Sequence, residues 1–130
     1  MIVLDASAAV DWLLQTPIGS RIGNRIFSHG ESLHAPHLLD VEVTQVLRRS
    51  SLAATLSAVR AYEALQDFLD LRIQRYPHDV LLPRVWQMRH NLTAYDGVYV
   101  ALAEQLDAVL VTRDHGLASA SGHAARVELY

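Results

Sequence analysis

Met1-Ile2-Val3-Leu4-Asp5-Ala6-Ser7 opens the chain, and its reading decides the fold. Met1 to Leu4 form an unbroken apolar run, the composition of a parallel strand covered on both faces. The run stops at a carboxylate, followed by small residues and then by apolar residues at helical spacing, Ala8, Ala9, Trp12 and Leu13. Asp5 therefore stands where a strand becomes a helix. Ligands of open α/β sheets bind at the carboxyl ends of strands, which makes Asp5 a candidate for chemistry. A second reading stays open at this point: Asp5 or Ser7 caps the helix that follows.

A stretch of the same design lies near the other end. Asp107 to Thr112 reads as a second buried strand, and it runs into Arg113-Asp114-His115-Gly116. Asp114 is either a site residue or the N-cap of a short helix from Gly116 to Ala120.

Between these stretches, Pro17 and Gly19 predict a turn, and Ser20 to Phe27 a short amphipathic helix ended by Gly30. Ser32 to Ala35 fits a short strand, with Pro36 opening the helix His37 to Arg49. Thr55 is the expected cap of a helix from Leu56 to Asp70, whose stripe of Val59, Tyr62, Leu65, Phe68 and Leu69 is core or partner interface. Leu71 to Tyr76 alternates apolar and polar, as a strand near a sheet edge does. Asp79 then caps a helix from Val80 to Asn91, Thr93 one from Ala94 to Leu106, and Ala125 to Leu129 reads as a last short strand.

Two helices carry informative acids. With an advance of about 100° per residue, Glu42 falls between Leu38 and Val46 on the apolar side of its helix, whereas Asp40 falls beyond Leu47 beside Thr44. Asp40 in that first turn suits the helix dipole and solvent. Asp96 ends Thr93-Ala94-Tyr95-Asp96, which has the form of a capping box. Its helix, however, is apolar nearly all round, and an acid on such a surface is costly unless something positive faces it.

Composition narrows the chemistry. The 130 residues, 51% hydrophobic and 19% charged, suffice for one globular domain spanning 1–130. No run of eighteen apolar residues occurs and no basic leader precedes the first strand, so the expectation is a cytoplasmic protein without a membrane segment. The absence of cysteine excludes disulfides, zinc ribbons and thiol nucleophiles. All 11 basic residues are arginine, which excludes lysine-dependent mechanisms, and a net charge of -3 gives no general attraction to nucleic acid.

Asp5, Glu42, Asp96 and Asp114 thus occupy two strand ends and two buried helix faces. The alternation of strands and helices is that of an α/β protein with a parallel sheet, which brings such ends to one edge. Four carboxylates meeting there repel one another unless a divalent cation offsets them, and ligation by oxygen alone suits magnesium or manganese. Arg113 and the Arg48-Arg49 pair are candidates for phosphate contact, since a guanidinium grips two phosphate oxygens.

On Ile2 to Ser7, Pro36 through Glu42 to Leu47 and Arg48, Thr93 to Ala103, and Leu110 to Leu117, the chain resembles the PIN-domain ribonucleases, in particular the VapC-type toxins of toxin–antitoxin systems. The resemblance spans nearly the whole chain in the family's order. It implies a three-layer α/β/α sandwich around a mostly parallel sheet of four to five strands. It also implies an acidic catalytic site of Asp5, Glu42, Asp96 and Asp114, with metal on Asp5, Asp96 and Asp114, and with Ser7 and Thr112 as supporting hydroxyls. The implied activity is magnesium-dependent endoribonuclease cleavage of structured RNA, manganese substituting, with inhibition of translation. The implied partners are a cognate antitoxin, a second copy in a homodimer, and the RNA. Gln45, where many relatives have asparagine, and Leu117, which adds no acid after Asp114, depart from the pattern. Two rival classes are a phospho-receiver domain, disfavoured because it relies on a lysine, and a non-catalytic RNA- or protein-binding module of the same fold.

Overall fold

Five short strands line up side by side, all parallel, in the computed structural model, which describes residues 1–130. They are β1 (Ile2–Leu4), β2 (Leu33–Pro36), β3 (Ile73–Tyr76), β4 (Val109–Thr112) and β5 (Arg126–Leu129), in the order β3-β2-β1-β4-β5. Seven α-helices connect them: α1 (Ala6–Leu13), α2 (Pro17–Phe27), α3 (Leu38–Leu52), α4 (Ala58–Asp70), α5 (Leu82–Gln87), α6 (Ala94–Leu106) and α7 (His115–Ser119).

The strand order fixes where the helices lie. The chain steps from β1 to β2 to β3 in one direction and then crosses back to β4 and β5. Right-handed crossovers therefore put α1 to α4 on one face of the sheet and α5 and α6 on the other. The contacts agree: α1 packs on α2 and α3, α3 on α4, and α5 on α6, which lies across β1, β2 and β4. This is the α/β architecture anticipated from sequence, with five strands and no antiparallel member.

β1 and β4 are central because they are apolar throughout. Ile2, Val3 and Leu4 are fully buried, as are Leu110 and Val111. Each such side chain contributes roughly 1.5–3 kcal/mol by its burial. β1 is thereby fixed in register with β4, Leu4 opposite Val111, and the residue after each strand is held to a narrow position. β1 and β4 are also the strands at which the direction of chain progress reverses, the place where sheets of this class open a crevice for ligands.

Several boundaries differ from the expectations. Pro17 and Gly19 do not form a turn: Pro17 is the first residue of α2, whose cap is the Thr16 hydroxyl accepting from the Gly19 N–H at 2.9 Å. Gly19 is required by close approach, since a Cβ there would lie 1.9 Å from the Asp11 carbonyl oxygen. Pro36 ends β2 rather than opening α3. It pairs with Tyr76 of β3 and lies past the last β1 partner, Val3 opposite His34, so β1 asks no N–H of it. α3 continues past the expected end at Arg49 to Leu52, and Ser57, not Thr55, caps α4. The helix expected from Val80 to Asn91 is a 3-10 turn, Asp79–Leu81, followed by the short α5, and Asp79 does not cap it. Asp107 lies outside β4, ending α6 in a left-handed conformation with φ 49°, which short polar residues tolerate best after glycine.

Candidate active site

Asp5 leaves the end of β1 and is only 6% exposed, yet both of its carboxylate oxygens are satisfied. Oδ1 accepts from the Ser7 hydroxyl at 2.7 Å and from the Ala8 N–H at 3.0 Å, and Oδ2 accepts a short bond from the Thr112 hydroxyl. The Ala8 bond is the helix cap of α1. Capping and a place in the site are thus not alternatives, because one oxygen serves α1 and the other reaches across to β4.

Thr112 is the hub of this arrangement. Its fully buried hydroxyl donates to Asp5, accepts from the Asp114 N–H at 2.9 Å, and lies 3.4 Å from the Ser7 hydroxyl. Ser7 in turn accepts from the Arg113 N–H at 2.9 Å. Two hydroxyls therefore fasten the loop after β4 to the loop after β1. Asp114 Oδ1 accepts from the Leu117 N–H at 3.0 Å, capping α7 while the residue itself stays exposed.

α3 and α6 bring the other two acids to the same edge. α6 precedes β4 and runs back along the sheet, so its N-terminus, with Asp96 in the first turn, sits at the carboxyl ends of the strands. Thr93 caps it, accepting from the Asp96 N–H at 3.1 Å. The return bond of a capping box, from the Thr93 N–H to the Asp96 carboxylate, is not made, which leaves that half-buried acid facing the site. Glu42, also half-buried, accepts from the Tyr99 hydroxyl at 2.6 Å.

The carboxylates sense one another. Burial pushes the Asp5 carboxyl above the usual range, opposed by its bonds from Thr112, Ala8 and Ser7 and reinforced by the charge of Asp114. Burial raises Glu42 as well, the Tyr99 bond acting against it and the charges of Asp5 and Asp96 with it. Asp96 is raised by burial and by Asp114, with Thr93 opposing and Asp5 adding to the shift. Tyr99 is held far above the ordinary phenol value by burial and by Glu42, so its hydroxyl keeps its proton and donates.

The four acids predicted from sequence are therefore within each other's fields at one sheet edge. No three acid or imidazole groups form a ready-made cage for an ion. The donor set fits a small, hard cation nonetheless: magnesium keeps several waters and is held through one or two carboxylates rather than by an all-protein cage. The edge also carries repelling acids and no guanidinium bonded to any of the four.

The arginines behave differently from one another. Arg113 is paired with Asp11 of α1 at 2.6 Å, and Asp11 is held by the Thr16 hydroxyl at 2.7 Å. Arg48 and Arg49 are exposed on α3 and make no ion pair. Asp40 is not left to solvent as expected: it is partly buried and bound by Arg75 at 2.8 Å. Gln45 is exposed, and Leu117 is buried in the core. Sequence reasoning passed over Tyr99 and Asp11. In the sequence Tyr99 reads as one more member of the apolar surface of α6, although its spacing of three from Asp96 puts both on one face.

Residues 2–122 match the PIN domain. Ribonuclease VapC12 of Mycobacterium tuberculosis is 42% identical over 129 residues, covering 99% of this chain and 98% of the relative. Ribonuclease VapC1 of the same organism is 41% identical over 128 residues, with 98% and 96% covered. Among solved structures, VapBC2 from Rickettsia felis bound to a promoter DNA fragment superposes with a TM-score of 0.72 at 14% identity, over 99% of this chain and 98% of that one. Mycobacterium tuberculosis VapC20, a toxin that cleaves the sarcin-ricin loop, gives 0.70 at 12% identity, over 95% and 97%. Those two likenesses are of fold. The match to the PIN domain and the two sequence relatives show kinship, and the chain belongs to the VapC family of PIN-domain ribonucleases.

Proposed function

We propose that this chain is the toxin of a toxin–antitoxin pair, an endoribonuclease that hydrolyses phosphodiester bonds of structured RNA with magnesium at the edge shared by Asp5, Asp96 and Asp114, bound through one or two of these carboxylates and its own waters. The observation that carries the reading is the Asp5 carboxylate, buried, fixed by three donors yet with a lone pair to spare, and within the electrostatic reach of three further acids at the switch between β1 and β4. A structural cap needs no such company.

A divalent ion at this edge supplies Lewis acidity and a water of lowered pKa, and manganese has the same preference for oxygen. The protein's part is to orient and to move protons. Thr112 and Ser7 lock Asp5 so that it cannot rotate away. Glu42, whose Oε2 is taken by Tyr99, keeps Oε1 free to accept the proton of an incoming water. Its raised affinity for a proton brings it closer to the pH at which a general base works well. Arg48 and Arg49 are the free cations on the same helix as Glu42 and suit the RNA backbone. Arg113 serves there only by releasing Asp11.

The VapC ribonucleases named above support the activity, and the VapBC assembly from Rickettsia felis supports an antitoxin as the partner. Cleavage of structured RNA would stop translation, which is how such a toxin acts on its host. No helix is long and apolar enough to cross a membrane, consistent with work in the cytoplasm.

In the purified chain, RNA cleavage is expected only with magnesium or manganese. Glu42→Gln is expected to lose about 100-fold, the low end for a lost general base, while Asp40→Asn keeps most activity because Asp40 only pairs with Arg75. Cleavage rates on a labelled RNA check both. Equal losses would sink the assignment of the two faces.

A homodimer is the expected assembly. α4 buries Ala61, Ala64 and Phe68, and leaves Val59, Tyr62 and Leu69 at 71%, 64% and 57% exposure. An apolar surface of that kind marks an interface. Light scattering at micromolar concentration should give twice the chain mass; a monomer would count against it.

A further inference from the structure

Tyr99 is a buried side chain of α6, 2% exposed, and its phenol makes the side-chain hydrogen bond that joins the two acid-bearing helices. Its hydroxyl donates to Glu42 Oε2 at 2.6 Å, across a sequence separation of 57 residues, and Glu42 has no other hydrogen-bond donor in the protein. Tyr99 also lies three residues after Asp96, on the same face of α6. The bond therefore fixes the distance between the second acid and the third and decides which Glu42 oxygen is left open.

We propose that Tyr99 is a positioning residue of the acid site: its bond to Oε2 holds the Glu42 carboxylate in place among the acids and leaves Oε1 as the open oxygen. This rests on the reading of the four acids given above and deepens it. A phenylalanine would fill the same core volume, so the hydroxyl is present for Glu42 and not for packing. Without it, a half-buried glutamate beside two like charges turns toward solvent, because rotation about its three side-chain bonds relieves the repulsion. Partners that orient groups at a metal site typically cost 10–100-fold in metal affinity or activity when removed.

The test compares Tyr99→Phe, Glu42→Gln and the double variant, with Tyr99→Met in parallel as a second way to fill the cavity. Two quantities are read: the magnesium concentration giving half of the full rise in melting temperature, and kcat and KM on one RNA. Tyr99→Phe and Tyr99→Met are expected to raise the magnesium midpoint and to lower kcat, by about 10-fold or more, with KM nearly unchanged. In the Glu42→Gln background, loss of the hydroxyl should change neither quantity further. An unchanged magnesium midpoint, a rise confined to KM, or independent losses that add in the double variant would overturn the inference. If Glu42→Gln itself stays fully active, the acid-site reading has failed. If Glu42→Gln is inactive and Tyr99→Phe is normal, only the role of Tyr99 has failed.

Discussion

Asp5→Asn is expected to lose RNA cleavage on the order of 1,000-fold or more while remaining folded. Stabilisation of developing charge by a bound cation amounts to several kcal/mol, and each 1.4 kcal/mol or so is tenfold in rate. The reason for choosing asparagine lies in the bonding. Both Asp5 oxygens accept, from Ser7 and Ala8 on one side and Thr112 on the other. Asparagine keeps one acceptor and puts an N–H pair where the other stood. Its oxygen still caps α1 through Ala8, and the Thr112 hydroxyl can turn to Ser7, 3.4 Å away. The fold thus keeps its cap and loses a charged ligand. A far-ultraviolet spectrum unchanged beside abolished cleavage is the expected pair of results; cleavage within tenfold of the parent would refute Asp5 as a ligand.

Asp96→Asn should raise the melting temperature of the metal-free protein and remove most of its response to magnesium. Asp5, Glu42 and Asp96 all hold protons more tightly in the folded chain than in the unfolded one, burial being the largest cause in each case. The sign follows from proton counting. Between the unfolded values, about 4, and the raised folded values, the folded state binds more protons, so metal-free stability falls as pH rises through that interval. Neutralising Asp96 removes its share of the fall. It costs no helix cap, because Thr93 holds that position, whereas loss of a true cap would cost about 0.5–2 kcal/mol. Magnesium at a hundredfold excess over its dissociation constant should stabilise the parent by about 2.7 kcal/mol and the variant much less. Melting curves across pH, with and without magnesium, decide it: equal shifts in both proteins, or none in either, would mean that the four acids hold no common ion.

How far the sequence could be read depended on which force shaped each element. β1 and β4 are strands by burial alone, and unbroken apolar runs advertise that. The same runs located Asp5 and Asp114, and the helical wheel separated Glu42 from Asp40. What escaped was decided by contacts distant in sequence. Pro17 and Gly19 look like a turn locally, but α2 crosses the backbone of α1 at Asp11, and only a glycine fits there. Pro36 looks like a helix start, yet β2 outruns β1, so a strand end can do without an N–H. Tyr99 and Asp11 were invisible for the same reason: their partners, Glu42 and Arg113, are 57 and 102 residues away. The opposition of cap and site at Asp5 and Asp114 was also a product of local reading, since each carboxylate has two oxygens.

The bond from Thr112 to Asp5 spans 107 residues, and that has a bearing on how the protein is made. Chains emerge from the ribosome N-terminus first and begin to fold as they do. An unfinished chain has β1, α1, α3 and even α6 available, but β1 lacks its β4 neighbour and Asp5 lacks the donor that locks its second oxygen. The fourth acid is missing too. The edge at which the four acids meet is therefore completed almost last, once β4 and the Thr112 hydroxyl that fastens both Asp5 and Asp114 have been made.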